Sequence, residues 1–85
     1  MKEEIEKLIA DKIKDLNLYV SDVYTSMDGK IKTLNIELDS DEVIDVERIT
    51  KATEIINPIL DANNICKDVD VLDIHSKSKG DNNNE

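Results

Sequence analysis

The sequence predicts an α+β two-layer sandwich in α-β-β-α-β order, with two helices on one face of a three-stranded sheet. Three observations carry this. Apolar residues recur at helical spacing in Lys2–Asn17 and again after Asp45. Alternating or β-branched runs fill Leu18–Ser26, Ile31–Asp39 and Val69–Ser76. An Asp-Gly pair sits between the first two of these runs. Two amphipathic helices and a sheet with one apolar face form two layers around one core.

The first helix is read over Lys2–Asn17. Ile5, Leu8, Ile9, Ile13 and Leu16 fall on one face, and Asn17 is a competent stop. Leu18–Ser26 has strand composition but imperfect alternation. Simple parity puts Leu18, Val20 and Tyr24 on one face with Asp22, and turns Val23 to the other. Met27-Asp28-Gly29-Lys30 reads as a hairpin turn, since Asp-Gly supplies the positive φ that tight turns need. In Ile31–Asp39, Leu34, Ile36 and Leu38 face in, while Thr33, Asn35, Glu37 and Asp39 face out.

An acidic connector, Ser40–Asp45, leads to a second helix capped by Asp45. Its stripe is Val46, Ile49, Ala52/Thr53, Ile56 and Ile59/Leu60. Pro58 predicts a kinked last turn or an early end, because it lacks an N–H and crowds the carbonyl of Glu54. Ala62-Asn63-Asn64 is the exit, and the third strand follows with Leu72 and Ile74 inward. Residues 1–79 read as a single domain and residues 80–85 as a polar, disordered tail.

Composition excludes several function classes. The chain has 85 residues, 20 acidic and 11 basic, for a net charge of −9. That balance opposes loose binding to nucleic acid or to an anionic membrane. There is no run of 18 apolar residues, and Cys66 is the single cysteine, so a cytoplasmic, unprocessed chain is expected. Tyr19 and Tyr24, the only aromatics, fit sheet packing better than base stacking.

Catalytic and metal-binding patterns fail on inspection. The run Asp39-Ser40-Asp41-Glu42-…-Asp45 starts like a calcium loop, but Ile44 holds the sharp-turn glycine position and Thr50 the bidentate glutamate position. Asp73 and His75 share a strand face, yet two ligands do not make a zinc site. His75 beside Ser76 or Ser78 lacks any nucleophile elbow. With only Gly29 and Gly80, no phosphate loop is available. Cys66 reads as a small hydrophobe at a core edge. No enzyme activity, no cofactor, no metal and no small-molecule substrate are expected.

The stretch "VLDIHSKSKG" remains. His75, Ser76, Lys77, Ser78 and Lys79 follow an apolar strand, and Lys30 and Lys32 lie at the hairpin. Brought together, these lysines contact about four phosphates; otherwise they only solubilise strand ends.

In order along the chain, "LYVSDVY", "GKIKTLNIELDS", "IDVERITKATEIINPILD" and "VLDIHS" resemble the first strand, second strand, second helix and third strand of the N-terminal domain of the bacterial ribosome maturation factor RimP family. Glu47-Arg48-Ile49, Ala52 and Leu60-Asp61 stand where that family places like residues. The resemblance implies the same α-β-β-α-β domain, acting as a non-catalytic assembly factor whose partner is the small ribosomal subunit, both ribosomal protein and rRNA. It also implies a second partner domain, a small SH3-like β-barrel, where this chain has a polar tail. Ser76 matches one serine of the family's Ser-Ser-Pro-Gly signature, while His75, Lys77 and Ser78 replace the residues around it. The competing reading is a standalone acidic protein–protein adaptor unrelated to ribosomes.

Overall fold

The computed structural model describes residues 2–77. Helix α1 spans Lys2–Ile13 and tightens into a 3₁₀ turn at Lys14–Leu16. Asn17 ends it in the left-handed conformation (φ 61°, ψ 41°), with its N–H on the Lys14 carbonyl at 2.8 Å. Asparagine visits that conformation more readily than most residues because its short polar side chain can hydrogen-bond locally and offset the steric cost. Strand β1 (Tyr19–Asp28) pairs antiparallel with β2 (Ile31–Asp39). Helix α2 (Val46–Ala62) crosses over to β3 (Val71–Ser76), which pairs parallel with β2. The sheet order is β1-β2-β3, with β2 central.

Both helices pack on one sheet face. Ile5, Ile9 and Ile13 of α1 and Ala52, Ile56 and Leu60 of α2 meet Val20, Val23, Leu34, Ile36 and Leu38 in a single buried cluster. Each fully buried isoleucine or leucine contributes about 1.5–3 kcal/mol relative to exposure. Leu8, Leu16, Ile49, Ile59, Leu72 and Ile74 close its edges. The alternation of β2 is as expected, with Leu34, Ile36 and Leu38 inward. Asn35 and Asp39 face outward yet are also buried, because flanking strands shield the central one.

β1 departs from simple parity. Val20 pairs with Leu38, but Asp22 pairs with Glu37, so Ser21 is an extra residue in the first strand. This bulge shifts the phase by one. Val23 therefore enters the core opposite Ile36, while Asp22 and Tyr24 turn outward, the reverse of their expected placement. The Asp22 carboxylate accepts the N–H of Val23 at 2.9 Å, fastening the distortion.

The hairpin is shifted one residue from the expected turn. Asp28 pairs with Ile31, leaving Gly29 and Lys30 as the two-residue loop. Gly29 has φ +62° at the first loop position, and Lys30 is not in the positive-φ region. A glycine first and an ordinary residue second is the requirement of a type II′ loop.

Asp45 caps α2 as expected, its Oδ1 accepting the Arg48 N–H at 2.8 Å. Val46, placed on the core stripe by periodicity, is instead 81% exposed and outside the buried cluster. The helix neither stops nor shortens at Pro58; it runs to Ala62. Pro58 lies on the exposed side of the helix, as does Glu54, whose carbonyl loses the usual N–H partner. The exit falls at Asn63 and Asn64, the latter at φ 58°, and the Ile65 N–H reaches back to the Leu60 carbonyl at 3.0 Å. β3 begins at Val71, two residues later than predicted, with Asp70 clamped to the β2 backbone. The Asp70 N–H donates to the Lys32 carbonyl at 2.8 Å, and its carboxylate accepts the Lys32 N–H at 2.9 Å.

Candidate functional site

The parallel pairing of β2 and β3 decides where the basic residues go. Lys30 lies in the hairpin loop and Lys32 at the start of β2, at the sheet end where β3 also begins. His75, Ser76 and Lys77 lie at the other end, beside Glu37, Leu38 and Asp39. Lys32 and Leu38 are about 20 Å apart along the strand. The described lysines of the candidate set thus do not converge into one phosphate-binding surface. Ser78 and Lys79, and the tail at 80–85, lie outside the described residues.

Within the basic stretch, neighbours divide between faces. His75 points outward, with Nδ1 3.5 Å from an Asp73 carboxylate oxygen and Nε2 3.8 Å from one of Glu37. Ser76 points the other way, into a shallow hollow with Ile49 and Ile74. Lys77 ends the strand with its N–H on the Leu38 carbonyl at 2.7 Å. It borders a second hollow of about 450 Å³ that also contains Asp41, Glu42 and the exposed Val43. Its positive charge therefore stands among carboxylates.

The acidic connector is internally engaged. The Asp39 carboxylate accepts the Ser40 N–H at 2.8 Å, the Ser40 hydroxyl accepts the Glu42 N–H at 3.2 Å, and Glu42 pairs with Arg48 at 2.7 Å. These bonds and the Asp45 cap account for most of the run that resembles a calcium loop. No group of three or more metal-ligating side chains is assembled among the described residues. Cys66 sits half-buried against the core edge. Burial pushes its thiol pKa up, and the nearby Asp61 carboxylate adds to the rise.

The surface that parity arguments missed is the side of the sheet that neither described helix covers. Cross-strand partners share a face, so the pairings define it. One row runs Tyr24, Asn35, Asp73; the next runs Asp22, Glu37, His75. Tyr19 and Asp39 form one end, where the tyrosine hydroxyl donates to the carboxylate at 3.4 Å. Ser26, Thr33 and Val71 lie toward the hairpin, followed by Asp28 and Ile31. At the centre the Asn35 amide donates to the Ser26 hydroxyl at 3.0 Å and to the Tyr24 carbonyl at 3.4 Å. This face gathers both tyrosines, the histidine and five carboxylates, and none of its described positions is Lys or Arg. The signal that reveals it is the spacing Val20-x-x-Val23, which puts two apolar residues in one core only if a residue is inserted between them.

No helix among the described residues is long and apolar enough to cross a membrane. A family model for the RimP N-terminal domain matches residues 8–77. The match runs from the second turn of α1 through the bulged hairpin and α2 to the end of β3, so it takes in every strand and the crossover that orders them. The chain belongs to the RimP N-terminal domain family, a family of ribosome maturation factors.

Proposed function

We propose that this protein is a non-catalytic ribosome-assembly module that acts in the cytoplasm by binding the immature small ribosomal subunit. The observation that carries the proposal is the family match across residues 8–77. The charge balance supports a protein component in the contact. A body of net charge −9 is attracted to basic ribosomal proteins and repelled by rRNA, so any contact with phosphate is confined to local lysines such as Lys77. The mechanism is differential affinity: a module that binds one conformation of the immature subunit more tightly shifts the population toward it.

The test is co-sedimentation of the purified chain with free small subunits over a salt series. Association at low salt that weakens as salt rises is the expected result. Absence of association at low salt, with subunits in excess, overturns the proposal.

A further inference from the structure

We infer that the uncovered face of the sheet is a docking surface for an extended, Lys/Arg-rich segment of a protein partner. The inference rests on the ribosome-assembly reading for where such a segment is met. It rests on the geometry of the face for what is bound.

Three features of the face point to this occupant. The first is charge. The sequence contains 11 Lys and Arg, yet the described positions of this face hold none of them. Edge strands that have only to stay soluble are commonly guarded by lysine. The long edge strand β1 instead presents Asp22 and Asp28, and Asp73 stands opposite on β3. A polyanion is repelled by this arrangement and a polycation is attracted.

The second is the distribution of exposed apolar surface. Tyr19, Tyr24, Ile31 and Val71 are each between 42% and 49% exposed, and all four lie on this face. Tyrosine rings bind guanidinium and ammonium groups through their π faces. Ile31 and Val71 offer apolar footing for the methylene stems of long cationic side chains.

The third is shape. Nine residues of β2 make the face about 30 Å long, and three strands make its backbone about 10 Å wide. That is a track for an extended segment. The carboxylates of Asp22 and Asp28 are about 20 Å apart along β1, so they meet well-separated cations of one segment. Asn35, buried and bonded to Ser26, gives the track a fixed centre. Glu37, beside His75, and Asp39, bonded to Tyr19 and Ser40, add to the field from partly occupied positions.

The test uses the full 85-residue chain, isotope-labelled for NMR, titrated with a short synthetic peptide in which arginine alternates with alanine, and separately with a single-stranded oligonucleotide. The peptide is expected to shift the amides of Tyr24, Asn35 and Asp73 and the Asn35 side-chain amide, and the oligonucleotide to leave them in place. The variant Asp28→Lys/Asp73→Lys is expected to weaken peptide binding about ten-fold or more at low salt. Lys12→Gln, on α1 in the helical layer, is expected to leave it unchanged. If the double reversal fails to fold by circular dichroism, Tyr24→Leu/Asp73→Asn serves in its place. Shifts confined to the Ser76–Lys77 end, displacement of the face by the oligonucleotide, or unchanged peptide affinity in a folded variant each overturn the inference. A folded variant that co-sediments with small subunits as well as the parent overturns the inference and leaves the ribosome reading standing. A parent chain that ignores subunits but docks the peptide on this face does the reverse.

Discussion

Val20 and Val23 enter the same core from one strand, three positions apart, because Ser21 is an extra residue between Val20 and Asp22, so that the two valines pair with Leu38 and Ile36. A regular strand would send the two valines to opposite faces. The bulge thus sets both the packing of β1 and the composition of the uncovered face.

This gives a sharp mutational contrast. Val23→Ala is expected to lower the unfolding free energy by about 1–3 kcal/mol, through lost burial and the cavity left beside Ile36. Asp22→Asn keeps an acceptor for the Val23 N–H and is expected to stay within about 0.5 kcal/mol of the parent. Urea unfolding followed by circular dichroism measures both. A larger loss at Asp22 than at Val23 is the result that contradicts the bulge.

The start of α2 depends on one carboxylate. Asp45→Ala removes the acceptor of the Arg48 N–H and is expected to cost about 1 kcal/mol, whereas Asp45→Ser restores most of it. Thermal melts of the two variants check the order.

Pro58 stands inside a helix that continues past it. Pro58→Ala supplies the missing N–H for the Glu54 carbonyl and relieves the ring's crowding of that turn. The gain outweighs the added freedom of the unfolded chain, so stability is expected to rise by about 1–2 kcal/mol. A fall in melting temperature counts against this account.

The Cys66 thiol, raised first by burial and then by Asp61, is a poor nucleophile near neutral pH. Its alkylation is expected to be slower than that of an unstructured cysteine and to accelerate only above the ordinary thiol range. Asp61→Asn moves that onset to lower pH. The sign for stability follows: the native state holds this proton more tightly than the unfolded chain. The contribution is intact below the unfolded thiol pKa and is lost as pH climbs through the higher native value. Alkylation rates and unfolding midpoints against pH test the two statements.

What could be read from residues alone was what local chemistry determines. The Asp45 cap, the Ile56–Leu60 stripe and the alternation of Leu34, Ile36 and Leu38 each need only a few neighbours to be legible. The bulge was not legible by strict alternation, because a broken pattern does not say where the extra residue lies. The Gly29-Lys30 loop was displaced by one residue for a related reason: both Asp-Gly and Gly-Lys are permitted loop centres, and strand pairing selects between them. The separation of the lysines depends on the direction of β3. A strand that follows a long helix can return parallel, which carries Ser76 and Lys77 away from the hairpin. Chain direction, which composition does not express, sets Lys77 at the opposite end of the sheet from Lys30 and Lys32.

Lys32 and Asp70 meet across 38 positions of sequence, and their meeting closes the sheet. A chain made from its N-terminus has the Gly29 hairpin in hand early, since that loop is short and forms in microseconds. The partner for the other side of β2 is synthesised roughly two to eight seconds later. Throughout that interval the central strand is an edge, with Leu34, Ile36 and Leu38 only partly roofed and a row of amides open to capture by another chain. Substitutions in β3 that slow its arrival should therefore be felt more in the yield of soluble protein during synthesis than in the melting point of what is purified.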